Sequence, residues 1–187
     1  MKINSPLLRV RNLTHEGPGE LIINTSGDSP GFGQLSPVSS LNKRQRELLE
    51  LLSESGDTAI LPKNSVSMND LRQLTNVTGD EFNMFTNGGQ RLIIRGSGRK
   101  IEVSQEMFND LVNGYYGKFS GHTHPPGYSM EPGPNDSWFL NKIHQEESSV
   151  WGNDGDGWLP FGQTQDHTDK IRSEINREKF RKFYGDQ

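Results

Sequence analysis

The apolar residues of the chain fall into short runs separated by glycine, proline and polar residues, a pattern that predicts short helices and strands. Residues 43–53 (KRQRELLELLS) place four leucines among charged residues and are soon followed by Gly56, which predicts a short helix. A second helical segment is expected around Ser67–Leu74. A third is predicted after Ser104, because serine is a favoured N-cap and the apolar residues that follow share one helical face.

The middle and the end of the chain have the pattern of strands. Residues 81–86 (EFNMFT) and 91–95 (RLIIR) flank Asn-Gly-Gly, and Asn-Gly between two apolar runs predicts a hairpin. Residues 100–103 (KIEV) are expected to form a third short strand, and 115–125 (YYGKFSGHTHP) a strand that ends at the proline. The last apolar stretch, 148–161 (SSVWGNDGDGWLPF), predicts a second hairpin with NDGDG as its turn.

Two further helices are expected near the end of the chain. Asp136–Glu147 predicts a helix whose apolar side is formed by Trp138, Phe139 and Ile143. The highly charged residues 164–187 carry apolar residues at helical spacing and predict a surface helix. The resulting order of helix, hairpin, helix, strand, helix and hairpin predicts an α+β layered domain.

The distribution of Ser, Gly and Pro divides the chain into three segments. Residues 1–40 include SGDSPGFGQLSPVSS and are expected to form an extended N-terminal arm or linker. Residues 41–163 hold the predicted folded domain, and residues 164–187 form the charged C-terminal helical tail.

Composition and charge exclude several classes of protein. The 187 residues include no cysteine, so disulfides, thiolate nucleophiles and metal sites with sulfur ligands are excluded. The net charge of −4 gives no reason to expect a nucleic-acid partner. No apolar stretch approaches the ~20 residues of a membrane helix, and the N-terminus lacks the apolar run of a secretory signal. We therefore expect a soluble chain without a classical signal peptide and without a membrane partner.

The segment that carries candidate chemistry is GHTHPPGYSMEPGPND, residues 121–136. His122 and His124 are two residues apart, a spacing that places both imidazoles on the same face of a strand. Asp136 follows at the start of a predicted helix, and the Pro/Gly-rich loop between can bring it beside the histidines. Three nitrogen and oxygen ligands with one open position are typical of a catalytic zinc. His144, by contrast, is expected on a helix surface.

A catalytic zinc also needs a general base, and Glu81 is the candidate. It begins the EFNMF strand directly after a polar turn, where a sheet can place it next to His122. Its role would be to accept a proton from the attacking water and deliver it to the leaving amine. The alternative is an exposed strand carboxylate. Glu20, in the arm, and Glu102, in KIEV, are weaker candidates for the base.

Together, H-x-H-P, the short loop, the aspartate and the upstream glutamate resemble the JAB/MPN domain with its JAMM metalloprotease motif. The resemblance covers about residues 57–162 and extends to JAB-type domains at the C-termini of Rhs-class bacterial polymorphic toxins. It implies a cytidine-deaminase-like layered fold, in which helices flank a mixed sheet. It also implies a zinc-dependent hydrolase, namely a peptidase or an isopeptidase that removes ubiquitin-like modifiers.

The resemblance assigns roles residue by residue. His122, His124 and Asp136 correspond to the ligands of one Zn²⁺ per chain, and Glu81 corresponds to the acid/base that activates water. The implied setting is a bacterial effector or toxin domain. Its implied partners are a protein or peptide substrate, ubiquitin-like proteins among them, and an immunity protein if the chain is a toxin.

The sequence departs from the family pattern at Gly133, where the family has the serine that stabilises the oxyanion. A backbone N–H or the hydroxyl of Ser129 or Ser137 is a possible substitute. Loss of one oxyanion donor costs about 10²–10³ in rate. Two hypotheses therefore stay open, a zinc metallopeptidase of the JAMM type and a catalytically weakened JAB-like binding module that retains its metal. A different zinc hydrolase acting on an unrelated amide is a third.

Overall fold

The computed structural model describes residues 8–10, 21–25, 33–98, 100–153 and 157–184. These residues form nine strands: β1 Leu8–Val10, β2 Leu21–Thr25, β3 Thr58–Pro62, β4 Phe82–Asn87, β5 Gln90–Arg95, β6 Lys100–Val103, β7 Lys118–Thr123, β8 Glu147–Trp151 and β9 Trp158–Gly162. They also form five α-helices: α1 Lys43–Leu51, α2 Met68–Thr78, α3 Gln105–Val112, α4 Pro134–Lys142 and α5 Gln165–Tyr184.

Seven of the strands form one sheet in the order β1-β3-β5-β4-β7-β8-β9. All neighbours in it are antiparallel except β7 and β8, which run parallel. The remaining strands, β2 and β6, form a separate antiparallel pair. The mixed sheet and its helices confirm the predicted α+β class.

Side chains of β4 and β5 alternate between two apolar layers, as the two-residue period of a strand requires. Met84 and Ile93 belong to the core cluster that includes residues of α1 and α2. Phe85, Leu92 and Ile94 belong to the cluster that includes residues of α3 and α4. Both faces of the central strands are therefore covered by helices, which explains the consecutive apolar residues Met84–Phe85 in β4 and Leu92–Ile94 in β5.

The predicted hairpin and helix starts are confirmed. Asn87 lies opposite Gln90 across the β4–β5 turn, and Gly88 has the positive φ of 55° that this tight connection needs. Ser67 caps α2 by accepting a hydrogen bond from the N–H of Asp70, and Ser104 caps α3 in the same way. Gly79, with φ of 74°, ends α2.

The helix predicted for Asp136–Glu147 is wrong at its C-terminal end. The helix α4 ends at Lys142, and Glu147 already begins β8. Between them His144 has a positive φ of 52°, and the side chain of Gln145 hydrogen-bonds the backbone N–H and C=O of Phe119. These side-chain bonds draw the chain back onto β7, a tertiary contact that helical periodicity does not reveal.

One smaller expectation is also corrected. Trp138 does not join the core with Phe139 but lies 37% exposed, stacked on Phe108 with ring centroids 5.7 Å apart. Tertiary packing therefore decides which aromatic residues of this helix are buried and which are exposed. The predicted KIEV strand is confirmed as β6, and it pairs with β2.

Parts of the expected arm, residues 1–40, form strands, because the backbone of β1 pairs with β3 and that of β2 pairs with β6. The rest of the arm up to residue 32 lies outside the described residues, as do residues 154–156 of the predicted NDGDG turn. The predicted C-terminal helix is confirmed as α5, which packs against β9. In the described part of the chain no helix combines the length and apolarity needed to cross a membrane.

Helix α2, which leads into the candidate site, is joined to α1 through the buried carboxylate of Asp70. One oxygen accepts hydrogen bonds from Arg44 at 2.5 Å and Gln45 at 3.1 Å, and the other accepts from the backbone and hydroxyl of Ser67. Burial alone would raise the pKa of Asp70, but the hydrogen bonds from Ser67, Arg44 and Gln45 outweigh it and lower the pKa. The ionised form is thus the one that the fold stabilises.

Replacing this carboxylate is expected to destabilise the fold in a pH-dependent way. Asp70→Asn should lower the free energy of unfolding by about 1–3 kcal/mol at neutral pH, because the hydrogen bonds to a charged acceptor are lost. Since folding lowers the pKa of Asp70, this contribution is present above the unfolded value of 3.8 and disappears as the pH falls through the folded value. Urea denaturation across this pH range measures it.

The matched control is Glu47→Gln, which breaks a solvent-exposed ion pair with Lys43 on α1. It should change stability by less than about 0.5 kcal/mol. An equal loss in the two variants, or a loss in Asp70→Asn that does not shrink as the pH falls below 3.8, would contradict the role given to Asp70.

Candidate metal centre

The two histidines lie at the C-terminal end of β7, an interior strand of the main sheet. His122 is within the strand, and His124 follows its last residue, Thr123. Asp136 lies in the first turn of α4, which begins with Pro134. His122, His124 and Asp136 are all buried, with at most 1% of each residue exposed. The strand and the helix thus bring together three of the residues that the sequence predicts as ligands.

The potential ligand atoms converge on one point. The Nε2 atoms of His122 and His124 are 2.9 Å apart, and Nε2 of His122 is 3.5 Å from Oδ2 of Asp136. One ligand atom from each of the three residues lies within 4.8 Å of the other two. Two nitrogen lone pairs this close repel unless a proton or a cation lies between them. The group could therefore hold a metal ion.

The ring of His124 is oriented by hydrogen bonds. Its Nδ1 atom is 2.5 Å from the carbonyl oxygen of Ser129, to which it donates, and its backbone N–H donates to the carbonyl of Trp151 at 2.8 Å. A proton on Nδ1 leaves the lone pair on Nε2, the atom that faces His122. This arrangement is the usual one for a metal-ligating histidine.

The ring of His122 is oriented by packing instead. It stacks on Phe119 with an interplanar angle of 7° and meets the edge of Phe161 at 77°. Its buried Nδ1 atom has no hydrogen-bond partner among the described residues. The two aromatic rings therefore fix the plane of this imidazole and direct Nε2 toward Asp136.

The environment keeps His124 neutral. Burial, and secondarily the neighbouring His122, lower the pKa of His124 to about 3, although its hydrogen bond to Ser129 acts in the opposite direction. A neutral imidazole is the form that binds metal ions. A divalent cation would in turn offset the charge of a carboxylate that is completely buried at Asp136.

The segment around Gly133 holds Asp136 in place. The N–H of Gly133 donates to Oδ2 of Asp136 at 2.6 Å, and the N–H of Asp136 donates back to the carbonyl of Gly133 at 3.1 Å. Among the suggested substitutes for the missing serine, Ser137 donates its hydroxyl to the carbonyl of Gly162. The carbonyl of Ser129 accepts a hydrogen bond from His124, and its hydroxyl oxygen accepts one from the backbone N–H of Glu131.

Glu81 lies between the end of α2 and the start of β4, and it is completely buried. Its Oε1 atom is 3.8 Å from Nε2 of His124, so the fourth predicted residue joins the same cluster. Its backbone carbonyl accepts a hydrogen bond from Gly96, and the adjacent Asp80 forms a two-pronged salt bridge with Arg95. The hydrogen bond from Gly96 and the salt bridge between Asp80 and Arg95 hold the backbone in place at Glu81.

The weaker candidates for the base lie elsewhere. Glu102 is on β6, outside the main sheet, and pairs with Lys100 at 2.5 Å. Glu20 lies outside the described residues. His144 is exposed, as expected, but in the turn after α4 instead of on the helix.

Sequence reasoning missed Thr123, which connects the glutamate to the histidines. Its hydroxyl oxygen accepts a hydrogen bond from the N–H of Phe82 at 2.9 Å, and it lies 2.5 Å from the hydroxyl of Thr75 on α2. Because strand side chains alternate, Thr123 points away from the histidines on either side of it. The available signal was the position of Thr123 between two potential ligands, because the hydroxyl of a buried threonine needs a hydrogen-bond partner.

No family model, curated protein or solved structure matches this chain. The geometry accordingly defines a buried His-His-Asp group that could hold a metal ion, with a glutamate beside it, and the function is a matter for proposal.

If the group holds a metal ion, replacing one of the potential ligands should weaken its binding without unfolding the chain. His124→Asn is expected to weaken zinc affinity by more than about 100-fold, the upper end of what loss of an outer-shell partner costs. Isothermal titration of metal-free protein measures the affinity. His144→Asn is the matched control, because that exposed histidine has a positive φ that asparagine tolerates. Equal affinity in the two variants would exclude His124 as a ligand.

The hydroxyl of Thr123 is expected to stabilise the junction between α2, β4 and β7. Thr123→Val should lower the free energy of unfolding by about 1–3 kcal/mol, because the buried N–H of Phe82 and hydroxyl of Thr75 lose their partner. Thr123→Ser retains the hydroxyl and should keep the amide of Phe82 protected from hydrogen exchange. Equal exchange at Phe82 in both variants would show that the hydroxyl does not matter.

Proposed function

We propose that the chain is a zinc-dependent peptidase or isopeptidase of the JAMM type. The observation that carries this proposal is the placement of the Glu81 carboxylate 3.8 Å from Nε2 of His124, within the buried cluster that includes His122 and Asp136. A carboxylate at this position suits a general base, because it lies beside the three potential ligands and is not itself needed to hold the metal.

The donor set favours zinc. Two imidazole nitrogens and one carboxylate oxygen are typical of a catalytic zinc site, whereas magnesium and calcium prefer oxygen ligands. Zinc bound there would polarise the substrate carbonyl and make the attacking water more acidic. His122, His124 and Asp136 would hold the ion, and the fixed His124 ring and the hydrogen bond from Gly133 would keep the ligands oriented.

Glu81 moves the proton in the proposed reaction. Its carboxylate accepts a proton from water as the oxygen attacks the scissile carbonyl carbon, and the protonated carboxyl then donates that proton to the departing amine nitrogen. The products are a carboxylic acid and an amine, and Glu81 returns to its starting state. Its buried position, 3.8 Å from a ligand nitrogen, keeps the proton transfers away from bulk solvent.

The fold class is compatible with a JAB/MPN domain, since helices cover both faces of a mixed sheet and the two histidines lie at the end of one of its interior strands. On this proposal the substrate is a protein or peptide, ubiquitin-like proteins included. The setting is a bacterial effector or toxin domain, whose activity an immunity protein would control.

The geometry at Gly133 favours a second candidate, a metal-containing binding module with weakened catalysis. Glycine offers no hydroxyl, and its N–H donates to Asp136 and so is engaged in holding the helix start. Ser137 donates its hydroxyl to Gly162. A site with a weak oxyanion donor can retain its metal and still hydrolyse slowly.

Glu81→Gln separates chemistry from metal binding. We expect zinc affinity to remain within a few fold, while hydrolysis of a protein or peptide library falls by about 10²–10⁴, because the base is lost. Mass spectrometry of cleaved products from a proteome digest measures the activity. Glu102→Gln is the matched control and should retain full activity. Undiminished cleavage in Glu81→Gln would refute the assigned base.

Gly133→Ser tests the second candidate. Gly133 has φ of −76° and ψ of 168°, an extended N-cap conformation in which serine is favoured. If the missing hydroxyl limits catalysis, the variant should be faster by about 10²–10³ at unchanged zinc affinity. If neither protein cleaves any substrate while both bind zinc, the binding module is the better description.

A further inference from the structure

The C-terminal helix α5 is attached to the loop that connects the two histidines to Asp136. The side chain of Arg172 on this helix forms a two-pronged salt bridge with Glu131, in which Nη1 is 3.2 Å from Oε1 and Nη2 is 2.9 Å from Oε2. Glu131 lies between His124 and Asp136 along the chain. The salt bridge therefore joins α5 to the segment that links two of the potential ligands.

The guanidinium group of Arg172 is held in place by a third contact. Its Nε atom donates a hydrogen bond to the carbonyl oxygen of Pro160 on β9 at 3.1 Å. The side chain of Arg172 is 21% exposed, whereas that of Glu131 is 60% exposed. Most exposed ion pairs contribute little, because two flexible side chains must be ordered to form them. Here the arginine is already fixed on the sheet, and its planar fork binds both carboxylate oxygens.

Glu131 is connected in turn to the ring of His124 through Ser129. The backbone N–H of Glu131 donates to the hydroxyl oxygen of Ser129 at 3.0 Å. The carbonyl oxygen of Ser129 accepts the hydrogen bond from Nδ1 of His124 at 2.5 Å. Three successive polar contacts thus lead from α5 to the imidazole, and the last of them determines which ring nitrogen carries the proton.

Met130, between Ser129 and Glu131, is the alternative anchor of the same loop. It is buried in the core cluster that includes residues of α3 and α4. It also packs closely against the end of β8, since a Cβ atom built on Gly152 would be 2.3 Å from its sulfur. The loop is therefore held from inside by apolar packing and from outside by the salt bridge, and the two contributions need separate tests.

We propose that Arg172 and Glu131 are positioning residues, which act through Ser129 to hold the ring of His124 with its proton on Nδ1 and the lone pair of Nε2 toward His122. The consequence for metal affinity rests on the proposed function, whereas the orientation of the ring does not. On this proposal the charged C-terminal helix supports the candidate site, and a change on α5 reaches the histidine through the loop.

Glu131→Gln in the full chain tests the proposal and leaves α5 in place, because glutamine keeps the size of the side chain and Arg172 keeps its bond to Pro160. In metal-free protein the nitrogen chemical shifts of the imidazole distinguish the two tautomers. We expect His124 to be protonated on Nδ1 in the parent and to populate both tautomers in the variant. Zinc affinity should fall by about threefold to tenfold, less than the 10–100-fold lost with a direct outer-shell partner.

Two further variants change arginines of α5. Arg172→Gln should alter the His124 signal as Glu131→Gln does, and the double variant should alter it no further, because both changes break the same interaction. Arg177→Gln is the matched control, since this exposed arginine bonds Ser173 within the helix, and it should leave the signal unchanged. A response to Arg172→Gln without one to Glu131→Gln would reduce α5 to a support of the fold and overturn the proposal.

Salt provides an independent measurement on the parent protein. At about 1 M salt the range of electrostatic interactions shrinks to about 3 Å, so the exposed salt bridge should weaken and the His124 signal should move toward that of Glu131→Gln. The signal of Glu131→Gln itself should not move. A signal that neither salt nor Glu131→Gln changes would show that Met130 alone holds the loop, which would overturn the proposal.

The ring signal and the metal titration fail separately. A His124 signal that responds as expected in a chain that binds no zinc would support the positioning role and refute only the proposed function. An unchanged signal in a chain that binds zinc and cleaves peptides would refute only the positioning role.

Discussion

Backbone pairing between β4 and β7 is the constraint on which the candidate site depends. Asn83 lies opposite His122, so the start of β4, where Glu81 stands, meets the end of β7, where the histidines lie. The register shifts by one residue after Met84, beside Gly121, whose φ is 136°. A bulge of this kind re-aims the side chains that follow it. Without the shift, the residues beyond it would face the opposite side of the sheet.

The site also shows how a protein interior can hold several ionisable groups. Each is fixed by contacts that leave one polar atom facing the cluster: His124 by the Ser129 carbonyl, His122 by Phe119 and Phe161, and Asp136 by the N–H of Gly133. Buried polar groups arranged in this way are costly unless their charges and lone pairs find partners. Apolar residues of similar volume could fill the same space without this cost.

Much of the fold follows from local patterns. The Asn-Gly-Gly hairpin, the serine caps and the charged C-terminal helix are encoded within a few residues, where propensity and turn chemistry act. The end of α4 was mispredicted because the side chain of Gln145 bonds the backbone of Phe119, and the pairing of β6 with β2 depends on a strand from the arm. Such contacts join residues that are distant along the chain, so the periodicity of the sequence does not predict them.

The candidate site, like the fold, could be predicted where it depends on local patterns in the sequence. The spacing of His122 and His124, followed by Asp136 at a helix start, indicates one ligand cluster because a strand end and a helix start commonly meet. The placement of Glu81 depended on a resemblance, and the structure now brings its carboxylate next to His124. Thr123 escaped notice because its role depends on contacts with Phe82 and Thr75 that only the folded chain creates.

The parallel pairing of β7 with β8 has a consequence for folding. Parallel neighbours need a crossover connection, and here that connection contains α4 and therefore Asp136. An unfolded chain would offer an ion the adjacent pair His122 and His124, but the third ligand arrives only when the crossover has docked. A bound metal would thus cross-link β7 to the crossover and add to the stability of this part of the sheet.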